Sequence, residues 1–536
     1  MHDLKQDFRG SRSIWANSEE DSPYSAIPDD AMTDVCIVGA GIAGITTAYL
    51  LAREGLSVIV LNDGPIGGGE TGRTTAHLSN AIDDRYVEIE RIHGEARTRL
   101  VAASHTAAID RIQAIAQQEK IVCDFERLDG YFFLAPSDSK DLLEREMEAA
   151  HRAGLTDVAF TAKTPLSGAE TVPSIKFPRQ GQFHPMKYLS GLAKSFTRLG
   201  GRIYTSTHVK GVAGGKPAQV QTTSGRIVKA ESVVMATNTP VNDLVAIHLK
   251  QAAYRTYVVS FLVPKGSIQK SLFWDTQDPY HYIRVHPWND RSDMLIVGGE
   301  DHKTGQADDI EDRYERLVLW ARAHVPAVGR PECEWSGQIM ESVDGLAYIG
   351  RNPMDDSNVY IATGDSGMGM THGTIAGILL TDLIQGRPNP WADVYDPSRV
   401  RLGATQEFAQ ENANTAAQYT GWITSGDVES VEHIPINSGA VIREGMSKIA
   451  VYRDERSVCH ACSAVCPHLG CIVSWNPSEL SWDCPCHGSR FNKFGKVLNG
   501  PALSDLTPGA HETCDTYIIA STPSGAGSSP DRSWPK

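Results

Sequence analysis

The first 458 residues of this 536-residue chain hold very little cysteine: only Cys36, Cys123 and Cys333. That excludes a disulfide scaffold for most of the chain. None is needed, because this length suggests about three or four domains, each able to bury its own core. Long apolar runs are missing too. No stretch approaches the roughly 18 uninterrupted apolar residues of a membrane-spanning helix. Met1 to Trp15 is polar, so no secretory signal is expected and the expected location is cytoplasmic. Basic charge is in deficit, with 50 Lys and Arg against 65 Asp and Glu and a net charge of −15. Nucleic-acid binders carry the opposite excess, so that class is disfavoured.

What is present is concentrated. Seven of the ten cysteines fall between Cys459 and Cys514. Such clustering in an unsecreted chain points to a metal or redox site. Residues 1–30 read as a lead-in. Asp34 to Val38 is an apolar β-rich run, followed by Gly39-Ala-Gly41-Ile-Ala-Gly44, a helical pattern over Ile45 to Ala52 and a second strand over Leu56 to Leu61. Helical patterns are expected over Tyr86 to Lys120 and Ile310 to His324. Strands are expected between them, at Gly130 to Leu134, Arg202 to Thr205, Tyr254 to Val263, His281 to Val285 and Met294 to Val297. Asn358 to Ala362 is a further strand, leading into Gly364-Asp-Ser-Gly367-Met-Gly369 and a helix over Thr374 to Ile384. Residues 398–427 read as a linker with a helix near Gln406 to Tyr419. Residues 428–520 read as a small all-β domain. In the tail, 521–536, eleven of sixteen residues are Ser, Thr, Pro or Gly, which predicts disorder.

Gly39, Gly41 and Gly44 form GxGxxG in strand–turn–helix–strand context, the dinucleotide arrangement. The first glycine permits the turn, the second admits a pyrophosphate, and the third lets helix and strand pack. The acidic residue expected after the second strand is replaced by Asn62, followed by Asp63. A Gly- and Thr-rich loop, Gly67 to His77, follows, with Arg73, Thr74, Thr75 and His77 near its end. These pieces, with the Gly364, Asp365, Gly367, Met368, Gly369 turn, resemble the D-amino-acid oxidase and glycine oxidase superfamily of FAD enzymes. His184 to Tyr188, His208-Val209 and Val233 to Asn238 resemble further parts of it. The resemblance covers residues 31–397. It implies FAD contacts from about 31–85, 185–245 and 340–390, including Val209 and Thr237. His77 is a candidate for covalent flavin attachment or a polar contact to it. The expected fold is therefore an α/β Rossmann-type FAD domain with an inserted mixed-sheet substrate domain, plus the small all-β domain.

In that last domain Cys466-Pro-His468 is separated by fifteen residues from Cys484-Pro-Cys486-His487. Structural zinc sites use Cys and His chiefly as CxxC or HxxxH pairs. The pattern here resembles Rieske proteins of the cytochrome bc type. The resemblance implies a [2Fe-2S] cluster with Cys466 and Cys484 on one iron and His468 and His487 on the other. It also implies a Cys471–Cys486 disulfide, a hydroxyl from Ser489 directed at the cluster, and a covering loop at Gly500 to Ala502. Phe491 stands where high-potential members carry Tyr. One fewer hydrogen bond to sulfur predicts a lower potential. Cys459-His-Ala-Cys462 is a CxxC that offers two readings, a second thiol site or, preferred, small apolar residues on a strand.

Asp278, His281 and His286 match the iron spacing of Rieske oxygenases. On a strand, however, residues 281 and 286 point to opposite faces and cannot share a metal. The superfamily resemblance instead makes Tyr254, Arg255, Tyr257, His281, Tyr282 and Arg284 candidates to face a substrate. Tyr282 and Arg284 share a strand face, and either Arg could pair a carboxylate. The expected activity is dehydrogenation of an amine or amino acid, with hydride passing to flavin N5. Electrons would then leave singly through the cluster to an external acceptor. Two alternatives stand: an oxidase that makes peroxide with a structural cluster, and an electron-transfer flavoprotein without its own organic substrate.

Overall fold

The computed structural model describes residues 11–16, 23–166, 172–241 and 247–509. The tail at 521–536, the last residues of the all-β domain and Cys514 lie outside them. Val35 to Val38 are buried, as are all of Val58–Leu61. Strands covered on both faces belong in the middle of a parallel sheet. They lie there: the order is Tyr348–Arg351, Val359–Thr363, Ile227–Met235, Ala31–Val38, Val58–Leu61, Arg202–Tyr204. All neighbours are parallel except the first, an antiparallel edge.

Two helices, Ile42–Arg53 and Gly369–Ile384, pack on this sheet and on each other. Their contact depends on two glycines one turn apart. A Cβ at Gly373 would lie 2.6 Å from Ile42 Cγ2, and one at Gly377 2.5 Å from Thr46 Cγ2. The close seam brings two helix N-termini, more than 300 residues apart in the chain, to one place. The expected helix over 86–120 is two helices, Tyr86–His93 and Glu95–Gln118. They are broken at Gly94, whose φ of +78° no helix accommodates.

The second sheet has nine strands. Its path runs Cys333–Ser342, Gln251–Pro264, Ser292–Lys303, His281–Pro287, Leu272–Asp275, Glu126–Phe133, Ser174–Gln182, His77–Leu78. Helix Ile310–His324 covers one face, with Tyr314, Leu317 and Ala321 against Tyr257, Phe261 and Val297. The loop strand His77–Leu78 pairs at the far edge, so the Gly- and Thr-rich loop bridges the two sheets.

Helix Thr405–Gln418 leads to the C-terminal domain. That domain has a three-stranded sheet, Ser438–Glu444, Ser447–Arg453 and Cys459–Ser463. A four-stranded sheet follows: Ser474–Asn476, Ser481–Asp483, Arg490–Asn492 and Val497–Asn499. It is docked on the two-sheet part of the chain through a buried carboxylate. Glu479 meets Arg73 at 3.2 Å, Arg255 at 3.3 Å and Arg490 at 3.4 Å, and takes a hydrogen bond from Ser336 Oγ. Burial alone would raise its pKa. Arg73, then Arg255 and Arg490, hold it far below the carboxylate range instead.

Candidate functional site

A cavity of about 580 Å³ runs between the two sheets. Gly39 and Gly41 line one end. Gly44 does not: a Cβ there would sit 2.0 Å from Gly39 O, so its part is seating the helix on the turn. Asn62 lines the cavity, yet its side chain is already engaged. Oδ1 accepts from the Ala40 N–H at 2.9 Å and Nδ2 donates to Gly64 O at 2.8 Å. Asp63, also on the wall, pairs with His208 at 3.6 Å. Arg73, Thr74, Thr75 and His77 line the side formed by the loop. Val209 and Thr237 line it from strand ends, and Asp365, Gly367, Met368 and Gly369 from the far turn. Gly364 stands behind the wall. A long cavity with two helix N-termini and glycine turns along it fits a dinucleotide, whose phosphates the free N–H groups would hold. His77 is kept neutral, pushed down to about 3 by burial and by Arg284.

The second sheet supplies the remaining wall. Of the six side chains expected to face a substrate, Tyr282 lines the cavity. Tyr254 reaches Glu411, Tyr257 reaches His302, and His281 lies between Asp275 and Glu300. His286 points to the opposite face from His281, toward Arg284 and Trp15. Arg255 is fully buried in the joint with Glu479. Arg284 is equally buried and donates to the carbonyls of Thr75, Ala76 and Phe183 at 2.9, 2.7 and 3.2 Å. The expectation that either arginine meets a substrate carboxylate is thus corrected. Arg284 does share the face of Tyr282, but the Thr75–Ala76 backbone covers it. Among the described residues lining the cavity, Arg73 is the one Lys or Arg.

Sequence reasoning missed Asp83, Trp274, Thr256 and Tyr280, all on this wall. Thr256 Oγ1 and Tyr282 Oη are hydrogen-bonded at 2.8 Å. Tyr280 Oη donates to Asp83 Oδ2 at 3.0 Å, and that carboxylate abuts Gly367. Burial pushes Asp83 up to about 7, against the Tyr280 hydrogen bond and helped by Asp301. Asp84 and Asp301 also rise to about 7, chiefly by burial. The available signal was an acidic pair, Asp83-Asp84, six residues beyond the end of the Gly- and Thr-rich loop at His77.

In the C-terminal domain, loops 466–471 and 484–489 stand side by side. Cys466, Cys484 and His487 are buried, and the rings of His468 and His487 lie 4.9 Å apart at 90°. The Cys466 thiol is lowered to about 7, first by Cys484, then by the N–H groups of His468 and Leu469 and by Ser489. Two thiols and two imidazoles converging from paired loops fit a Cys2His2 [2Fe-2S] centre. Cys471 and Cys486 form a disulfide joining the loops. Cys459 and Cys462 pack into separate apolar clusters on opposite faces of their strand. Ser489 Oγ accepts from the Ala502 N–H at 3.0 Å. The same covering loop, Val497 to Leu503, closes part of the cavity wall, so one loop touches both sites.

Residues 34–383 match the FAD dependent oxidoreductase family, and residues 424–513 match the Rieske [2Fe-2S] domain. The chain is 31% identical over 498 residues to a Rieske 2Fe-2S iron-sulfur protein designated YhfW of Bacillus subtilis (strain 168), spanning 92% of this chain and 96% of that one. It is 24% identical to gamma-glutamylputrescine oxidoreductase of Escherichia coli (strain K12), over 69% of this chain and 88% of that one. Its fold is similar to crystalline glycine oxidase from Geobacillus kaustophilus, with a TM-score of 0.57 at 18% identity over 69% of this chain and 99% of that one. No helix among the described residues is long and apolar enough to cross a membrane.

Proposed function

Because the chain belongs to the FAD dependent oxidoreductase family and carries a C-terminal Rieske [2Fe-2S] domain, we propose that it dehydrogenates a cationic amine and passes the electrons to an external acceptor. When bound, FAD supplies hydride acceptance from the carbon bearing nitrogen, and the cluster supplies one-electron transfer. The observation that carries the reading is the cavity wall. It presents Asp83, Tyr280 and Tyr282, while Arg255 and Arg284 are engaged elsewhere. A site for α-amino acids calls for a cation opposite the carboxylate. This wall suits the opposite charge, and the name of the Escherichia coli relative, an oxidoreductase of an amine, agrees.

Asp83 orients the substrate ammonium and, near its own raised pKa, takes the proton that must leave nitrogen before oxidation. Tyr280 holds that carboxylate in place. Tyr282 and Trp274 exclude water from the reacting carbon. Gly39, Gly41, Arg73, Thr74, Thr75, Val209, Thr237, Gly367, Met368 and Gly369 would hold FAD. Cys466, His468, Cys484 and His487 would hold the cluster, with Ser489 as a hydrogen-bond donor to it.

The test is anaerobic. Amines, amino acids and hydroxy acids are screened for bleaching of the bound flavin, and the reduced cluster is then followed by EPR. Bleaching by amines with cluster reduction is expected. Bleaching by amino acids alone sinks the substrate reading. Bleaching with a silent cluster sinks the relay.

A further inference from the structure

The two loop histidines of the cluster domain are turned toward the flavoprotein part. His248, in the single turn His248–Lys250, meets both of them. Its ring centroid lies 4.9 Å from that of His468 and 5.8 Å from that of His487. His248 is buried, at 4% exposure. Three residues on, buried Gln251 accepts a hydrogen bond from Thr363 Oγ1 at 3.1 Å and donates to Thr239 Oγ1 at 3.4 Å. Thr239 and Thr363 both line the cavity. Buried, touching groups therefore run from the cavity wall through Gln251 and its adjoining turn to the His248 ring packed against both cluster-loop histidines.

We propose that His248 is the positioning residue through which the cavity and the cluster are electronically joined. Its ring holds the two ligand imidazoles and fills the space between them and the cavity wall. The proposal rests on the electron relay put forward above. Each step takes one electron from reduced flavin and turns one ferric ion of the cluster ferrous. A one-electron acceptor reoxidises the cluster before the second electron follows, and the protons released from flavin go to solvent. A close-packed path favours this step, because filled contacts couple better than gaps and small displacements are costly in rate. The competing route is Gln338, which lines the cavity and donates to Gly488 O at 3.0 Å.

The test uses the holoenzyme without any organic substrate. The bound flavin is photoreduced with EDTA as sacrificial donor, and flavin reoxidation and cluster reduction are followed by absorbance. EPR g-values of the dithionite-reduced cluster are recorded in parallel. His248→Ala is expected to slow cluster reduction at least about tenfold and to shift the g-values, with the flavin photoreduction rate unchanged. His248→Phe keeps a ring there and is expected to stay within about threefold of the parent rate. If His248→Ala does not retain iron, His248→Gln, which keeps polar atoms without a ring, carries the same expectation. A parent-like transfer rate in either iron-loaded ringless variant overturns the proposal. So does a larger loss in Gln338→Ala. Because light replaces the amine, failure here leaves the substrate reading intact, and failure of the amine screen leaves this test intact.

Discussion

Two regions of this molecule treat their buried carboxylates in opposite ways. At the joint between the domains, Glu479 is surrounded by Arg73, Arg255 and Arg490, and is held ionised far below the usual carboxylate range. At the cavity wall, Asp83 is raised to about 7 and Asp365 to about 6, and behind it Asp84 and Asp301 rise to about 7, all mainly by burial. The joint contains its own countercharge and is finished. The wall has Arg85 near Asp83 and Asp84 but no ion pair that holds them ionised, and is poised to receive a further positive charge from a ligand. A buried charge with its partners present reports structure, whereas one without them reports a task.

The largest way to break this contrast is at the joint. Glu479→Ala leaves Arg255 and Arg490 in low dielectric with one carboxylate fewer. The expected cost is about 3–5 kcal/mol, read by chemical denaturation. Small-angle scattering should show the C-terminal domain leaving its docked position.

Next comes the wall. Asp83→Asn should lower kcat/KM for a cationic amine by about 10²-fold. The sign of the pH effect follows from the raised pKa. Ionised Asp83 grows as pH rises through about 7, so activity falls below that value and the variant loses this limb. Asp84, Asp301, Tyr280 and Arg85 face the same carboxylate, so the limb belongs to the group rather than to one residue.

A smaller effect separates the regions by stability. Carboxylates with raised pKa contribute fully below about 4, and that contribution is lost as pH climbs to about 7. Glu479, with depressed pKa, contributes above the ordinary carboxylate range and loses this only in strong acid. Melting temperature should therefore drop between about pH 4.5 and 7.5 in the parent chain, and drop less in Asp83→Asn. The smallest effect concerns the cluster alone. Phe491→Tyr adds one hydrogen bond near the ligand sulfurs, worth about 1 kcal/mol, and should raise the one-electron potential by about 40 mV in a redox titration.

The two sites were unequally legible in the sequence. The cluster loops are each a few residues long, so ligand identity and spacing stand together in one string. The GxGxxG turn was legible for the same reason. The substrate wall is assembled across the second sheet and the loop, and nothing local announces it. Strand period places Tyr282 and Arg284 on one face, but it does not tell that Thr75 and Ala76, some 200 residues earlier, cover one and leave the other open. Arg255 was read as a substrate residue because its partner, Glu479, arrives from another domain. Asp83 carries no motif and acquires its character chiefly from burial, helped by Asp301.

The loop Val497 to Leu503 has a consequence for the order of assembly. It completes a cavity whose first wall residue is Val38, so the pocket draws on nearly the whole described chain. During synthesis the glycine turn and its helix emerge early, while their closing pieces are still unmade. A nascent chain stopped anywhere before residue 497 offers FAD an open-sided groove. Closure of the pocket therefore waits until the C-terminal domain has been made and docked.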